Sequence, residues 1–452
     1  MWTMMEIKNK LLIPVPISPL ITFRICFGGI MLFSILRFWL NGWIRTQYIN
    51  PKFYFTYTGF DWVQPLGEIG MYTLFFIIGI TSVLVLVGLW YRLAIILFFI
   101  SFTYVELIDV TNYLNHYYFI SIVSFLMIFL PANKAISLDV RINPASKCTH
   151  VPMWTIGIIR LQMGMVYFFA GIAKLNADWM LEALPMKIWL PAKSHLPVIG
   201  NLFYKEWVAY AFSWFGAFYD LFIAIFLIQK KTRPYAYIAV IGFHICTAIV
   251  FPAIGMFPYV MILCSLVFLR ANFHNSLLSP FVNGLYFKEA EVTYLYPKYY
   301  GKFLSVLLTF YFVLQTIIPM RFLFYPGPLF WYEEGYRFSW RVMLMEKSGN
   351  TFFYIKEPRS GRVFEVNNPD FLTPQQEKMM STQPDMIVHY ARYLKHIYQQ
   401  RGLHHPKVYA EGYVALNGAR SKQFIDTKID LSAEQLDWRH IRFILPYSKT
   451  HD

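Results

Sequence analysis

Charge is scarce in this 452-residue chain: Asp, Glu, Lys and Arg make up only 15% of it, against about 25% in ordinary soluble domains. With 57% hydrophobic residues gathered in long, nearly charge-free runs, a soluble globular protein is excluded. Cysteine is scarce too. Cys26, Cys148, Cys246 and Cys264 show no CxxC and no Cys/His ligand spacing, so neither a zinc site nor a disulfide framework is indicated. Acidic residues number 26 against 40 Lys and Arg, but the basic excess is scattered between apolar runs. That distribution speaks for membrane flanks and against a nucleic-acid patch. There are no repeated halves or paired broken helices of the transporter kind, and no nucleotide-binding or metal motif. The first apolar run has full span length and no small-residue cleavage site after it, so no cleavable signal is expected.

What is present is a succession of apolar runs near 18–40, 70–90, 93–111, 117–131, 154–174, 207–228, 235–251, 255–270 and 302–320. Lysine and arginine crowd the loops on one side, among them Lys8, Lys10, Arg92, Lys134, Arg141, Lys147, Lys230, Lys231, Arg233 and Arg270. They are sparse on the other. The bias predicts a cytoplasmic N-terminus and, after an odd number of spans, an extracytoplasmic C-terminal region. In that region RFSWRVMLM (337–345) alternates like a strand, and TFFYIKE and GRVFEV flank a hairpin signal at Pro358–Gly361. Thr373 to Gln376 has capping-box spacing, and Met386, Ile387, Tyr390, Leu394 and Ile397 share one helical face. The expected architecture is a multi-pass α-helical membrane protein with a soluble α+β domain. Residues 1–320 would form about nine transmembrane spans, and residues 321–452 the extracytoplasmic domain of strands plus two helices.

Ionisable side chains in or beside apolar spans are costly and are candidates for function. Arg160 and Lys174 fall on the fifth run, Asp220 on the sixth, His244 on the seventh, and His116 in a polar link before the fourth. Arg24 and Arg37 on the first run read as snorkelling or helix-pairing groups. Tyr167 and Lys174 lie two helical turns apart and share a face. Taken alone, Lys174 fits a snorkelling anchor as well as a desolvated lysine whose neutral amine acts as a base. His116 and His244 equally allow hydrogen-bonded packing or chemistry.

VYFFAGIAKLNADW (166–179) resembles the signature of vitamin K-dependent γ-glutamyl carboxylases, with Lys174 at the place of the catalytic base. Further segments resemble that family in the same order: VGLWYR (87–92), NHYY (115–118), HVPMW (150–154), FHICTAIVFPAIGMFPYVM (243–261) and GYRFSWRVML (335–344). The chain looks like a short, bacterial-type homologue in the HTTM membrane-domain superfamily. It departs from the animal enzymes at Arg341, where they carry an acidic residue, and at Lys347. Its end at Asp452 comes earlier than theirs, so the expected location is a bacterial cytoplasmic membrane rather than the endoplasmic reticulum.

The resemblance implies an enzyme that couples O2-dependent epoxidation of a reduced vitamin K (hydroquinone) or menaquinol to γ-carboxylation of a protein glutamate by CO2, without a metal. It implies Lys174 as base towards the hydroquinone and His116 at the carbanion and CO2 step. His244, with Asn115 and Tyr167, would hold and orient the cofactor. Tyr336, Arg337, Arg341 and Lys347 would hold the anionic substrate. The implied partners are a glutamate-containing protein or peptide, an isoprenoid quinone and membrane lipid, with no nucleic acid. Two other readings remain: a quinol epoxidase or oxidase that does not carboxylate, and a non-enzymatic membrane assembly factor for exported proteins.

Overall fold

A computed structural model describes residues 10–281, 291–436 and 439–447; Lys8 lies outside them. A backbone in lipid must satisfy its own polar groups, so the apolar runs become helices. In chain order these are α1 (Ser18–Leu40), α2 (Gly67–Val87), α3 (Tyr91–Ile108), α4 (Asn115–Met127), α5 (Met153–Lys174), α6 (Glu206–Ile228), α7 (Arg233–Val250), α8 (Phe257–Ser265), α9 (Ala271–Leu278) and α10 (Lys298–Met320). Seven of them, all but α4, α8 and α9, are long and apolar enough to cross a membrane. An eighth span results if the pair Phe257–Phe268 and Ala271–Phe281, bent by 115°, counts as one.

The expected fourth span is the exception. α4 has 13 residues, about 20 Å at 1.5 Å per residue, short of the roughly 30 Å hydrocarbon core. Tight turns follow it at Ile128 to Leu130, and Pro131 cannot continue a helix. The segment is tied down at both ends. Asn115 Nδ2 donates to Arg341 O at one end, and Arg24 donates to the carbonyls of Ala132 and Ile136 at the other. Arg24 is therefore a buried lock on backbone carbonyls and does not snorkel.

Close helix contact needs glycine at two places. A Cβ on Gly28 would lie 2.6 Å from the Leu86 backbone nitrogen, so its absence lets α1 and α2 touch. Gly171 does the same for α5 and α6, where a Cβ would come 2.7 Å from Leu221 N. Phe33, Ile69, Val306 and Phe310 stand exposed on the outer surface, as lipid-facing side chains must. At the end away from the C-terminal region, β1 (Pro14–Pro16) pairs antiparallel with β2 (His150–Pro152).

Beyond α10 an antiparallel sheet forms from β3 (Lys347–Lys356), β4 (Val363–Glu365), β5 (Lys407–Leu416) and β6 (Lys422–Gln423), in the order β4-β3-β5-β6. The hairpin at 358–361 joins β3 to β4. Helix α11 (Pro374–Met380) opens on the Thr373/Gln376 capping box. Helix α12 (Pro384–Gln400) buries Met386, Ile387, Tyr390 and Leu394 in one cluster with Phe353, Val408 and Val414 of the sheet. Gln376 also docks this region on the bundle, donating to Phe53 O at 2.7 Å and to Asp109 Oδ2 at 2.9 Å.

The strand expected at 337–345 does not form. Phe338, Trp340 and Met343 have φ of +58°, +60° and +52°, which no strand tolerates. The segment is moulded to the bundle instead. Phe338 N donates to Tyr113 Oη, and the rings of Phe338 and Trp340 both lie 5.0 Å from Tyr118. Its alternating aromatics record two-sided packing, not a pleat.

Candidate active site

Helices α5, α6 and α7 enclose a cavity of about 590 Å³. The close approach at Gly171 carries Lys174 onto Asp220 of α6, with Nζ 2.6 Å from Oδ2 and 3.3 Å from Ala170 O. Each residue is 6% exposed, which decides against a snorkelling anchor. The tail LNADW completes the setting. Asn176 caps the next turn by accepting from Trp179 N, Trp179 Nε1 donates to Ser213 O, and the indole ring comes 5.5 Å from Lys174 Nζ.

One helix further, His244 Nε2 lies 3.1 Å from Tyr167 Oη, and Tyr167 Oη lies 3.4 Å from Ser265 Oγ. His244 Nδ1 is buried without a hydrogen-bond partner among the described residues. The rest of the lining is apolar, chiefly Phe212, Phe215, Phe243, Phe257 and Met261.

A second cavity, of about 560 Å³, lies between the bundle and the C-terminal region. His116, Asn115, Tyr336, Arg337 and Arg341 line it. His116 is not in a link but in the first turn of α4, and it is buried. Its ring packs 4.6 Å from Tyr117 and 6.0 Å from Phe257. Arg341 is buried, stacks over Phe322 at 4.4 Å, and has an Nε without a partner. Among the described residues no carboxylate pairs with it. Burial pushes its guanidinium down to about 10, which leaves it charged at neutral pH.

Five side chains line both cavities: Phe251, Ile254, Phe257, Val342 and Met343. They form a thin apolar wall, with Phe257 6.0 Å from His116 on one side and 5.8 Å from His244 on the other. Gly255, at φ +67° and ψ −130°, makes the turn that delivers Phe257, a backbone conformation open only to glycine.

The structure thus divides the residues singled out in the sequence. Lys174, His244 and Tyr167 share the first cavity, and His116, Asn115, Tyr336, Arg337 and Arg341 share the second. Asn115 is apart from His244 and Tyr167; it accepts from Tyr113 Oη and donates to Arg341 O, holding the 337–345 segment in place. Arg337 is already engaged by Asp385 and Gln383. Lys347 lines neither cavity, since its Nζ is taken by Glu333 at 2.7 Å and Trp331 O at 2.8 Å. Sequence reasoning named both Asp220 and Lys174 but did not pair them, and it missed Phe257, whose only signal was the IGMF run.

Two known family models match separate parts of the chain. The model of the HTTM domain matches residues 13–273, more than half of the protein. The model described as vitamin K-dependent gamma-carboxylase, lumenal domain, matches residues 300–450. No solved structure matches the chain. HTTM is a membrane domain, in keeping with the apolar helices of a multi-pass protein. The second match implies vitamin K as cofactor and glutamate-containing substrates. Both segments considered, this protein belongs to the vitamin K-dependent gamma-carboxylase family and is carboxylase-like, with an HTTM membrane domain.

Proposed function

We propose that the protein couples O2-dependent oxidation of a reduced vitamin K or menaquinol in the first cavity to γ-carboxylation of a protein glutamate in the second. The observation that carries this reading is the shared wall. A proton-handling pair and an anion-seeking cation face each other across a single layer of apolar side chains.

The first cavity fits a quinol. Its volume is within the range of about 300–1,000 Å³ usual for small-molecule sites, and its lining is aromatic with few convergent polar groups. Lys174 would pass its own proton to Asp220 Oδ2 and take the hydroquinone proton at Nζ, and the ammonium so formed offsets the negative charge which that proton leaves behind. His244, held through Nε2 by Tyr167, keeps Nδ1 free for a quinone oxygen. Phe212, Phe215 and Phe243 hold the ring system and the start of the isoprenoid chain. When bound, the reduced cofactor reacting with O2 supplies a base far stronger than any side chain, strong enough to take a glutamyl γ-proton.

In the second cavity Arg341 binds a carboxylate of the substrate, assisted by the Tyr336 hydroxyl. His116 stands at the wall, where it meets the γ-carbon and CO2 as hydrogen-bond donor. Asn115 is a positioning residue that acts through the Arg341 backbone. The apolar wall keeps water, and therefore stray protons, from the carbanion. We also assign residues 1–320 to the membrane domain and 321–452 to the extracytoplasmic domain, with the N-terminus cytoplasmic, on the charge bias of the loops.

The test uses purified protein in nanodiscs with reduced vitamin K, O2, labelled bicarbonate and a short glutamyl peptide. Vitamin K epoxide and fixed label are both measured, with Lys174→Ala in parallel. Both products, both lost in the variant, support the reading. Epoxide without label selects the non-carboxylating quinol oxidase, and neither product from folded protein with several quinols rejects the chemistry.

A further inference from the structure

Arg160 is an ionisable residue on a membrane helix that the proposed chemistry does not use. It lies seven residues into α5, about 10 Å from the end of the bundle that faces away from the C-terminal region. Its Nε donates to Val267 O at 2.9 Å, at the break between α8 and α9, where bending by 115° frees backbone carbonyls. Arg270 follows that break and donates to Lys230 O at 3.2 Å. Arg233 opens α7 and donates to Leu227 O at 2.8 Å and Ile228 O at 2.7 Å, carbonyls at the end of α6.

Three arginines from three elements are thus fixed on backbone carbonyls around one corner. Arg160 and Arg233 are close enough to repel each other, as are Arg233 and Arg270. Lys230 and Lys231 add two exposed cations beside them. Among the described residues no carboxylate pairs with any of the five. Among the described residues the Nη groups of Arg160 have no hydrogen-bond partner, and they are not sealed from outside. At the other end of the bundle Lys174, Lys187, Arg337 and Lys347 each have a carboxylate partner, and Arg341 has none among the described residues.

The corner also carries apolar surface. On α9 Phe273 and Leu277, four residues apart on one face, stand exposed, and Phe281 follows. Fixed cations beside exposed apolar side chains at a membrane boundary suit a molecule that is anionic at one end and apolar at the other.

We propose that the corner formed by Arg160, Arg233 and Arg270 is a binding site for the phosphate headgroup of an anionic phospholipid, whose acyl chains lie against α9. Guanidinium forks match phosphate oxygens better than an ammonium does. The bound lipid neutralises three cations that the described residues leave without counter-charge, and it braces the broken helix α8–α9. That pair begins at Phe257, so the site lies on the same element as the wall between the cavities.

The test is native mass spectrometry of the full-length protein released from nanodiscs of mixed phosphatidylglycerol and phosphatidylcholine. Wild type is expected to retain phosphatidylglycerol preferentially. Arg233→Gln/Arg270→Gln, which spares the half-buried Arg160, is expected to weaken retention about fivefold per arginine removed, and adding Arg160→Gln weakens it further. Lys134→Gln/Arg141→Gln, at the same end but away from the corner, serves as the control and keeps the lipid. Thermal unfolding with added phosphatidylglycerol gives a second readout, a rise in Tm in wild type that the double variant loses. Equal retention of both lipids overturns the proposal. So does an equal loss in the corner and control variants, which would reduce the cluster to the general positive charge of a cytoplasmic face.

Discussion

The two cavities handle charge in opposite ways. In the membrane cavity the main polar groups come as partners, Lys174 with Asp220 and His244 with Tyr167. In the second cavity Arg341 is buried with no carboxylate paired to it among the described residues, although Arg337 in the same lining shows a satisfied arginine, gripped by Asp385 and Gln383. Burial pulls on both guanidiniums. For Arg341 it prevails, whereas the Asp385 charge lifts Arg337 above its ordinary value. An unpaired buried charge is costly, so a site that keeps one is organised for a ligand of opposite sign. A site of internal pairs can move protons without changing its net charge. On this argument we propose proton chemistry for the first cavity and anion recognition for the second.

The largest effect should come from breaking the pair. Lys174→Ala removes the proposed general base and is expected to lower both quinol oxidation and carboxylation by about a hundredfold to ten-thousandfold. Asp220→Asn should depress both products together, which is what a shared proton requires; a loss confined to carboxylation would move Asp220 out of the quinol step. Arg341→Gln should separate the cavities. We expect the KM for a glutamyl peptide to rise about thirtyfold, from a loss of about 2 kcal/mol, while peptide-independent quinol binding stays the same. Steady-state kinetics with peptide and quinol varied in turn checks this, and a matching rise in the quinol KM would erase the distinction.

The wall offers a smaller and sharper test. Phe257→Ala shortens the side chain between the two histidines without touching either polar set. Both half-reactions retain their own groups, but the separation between them is no longer held. The ratio of fixed CO2 to oxidised quinol is expected to fall about tenfold, because loss of positioning costs rate even where every catalytic group is present. An unchanged ratio would mean that the wall does not mediate coupling.

Much of this was legible in the sequence, for definite reasons. Lipid makes the apolar runs explicit, and helix signals such as the Thr373 capping box act over a few residues. The arrangement of the site was not legible. Lys174 and Asp220 are 46 residues apart, on helices whose contact depends on Gly171, and no local period links them. The 337–345 segment alternates like a strand because it packs against Tyr118 on one side and Phe322 on the other, and alternation alone does not separate those cases. His116 looked like part of a link because the polar residues before it hide the start of α4. Arg337, Arg341 and Lys347 read alike as substrate cations. Only the fold shows that Asp385 and Glu333 have claimed two of them.

That last distinction can be tested where the catalytic effect should be smallest. Lys347 is buried against Glu333, and burial, opposed by the Glu333 charge, leaves it below its ordinary value. Lys347→Ala strands Glu333 as a buried carboxylate and is expected to destabilise the C-terminal region by about 3 kcal/mol. The peptide KM of the protein that remains folded should hardly change. Lys347→Met/Glu333→Gln should restore most of the stability, since it removes both charges, and thermal unfolding beside peptide kinetics reads the two effects separately. pH provides the complementary check. If Arg341 holds the substrate carboxylate, its cation persists through pH 9, because burial brings it down only to about 10. Peptide affinity should then stay level as pH rises from 7 to 9. A fall in affinity across that range would place a lysine or histidine at the carboxylate and return Lys347 to the substrate site.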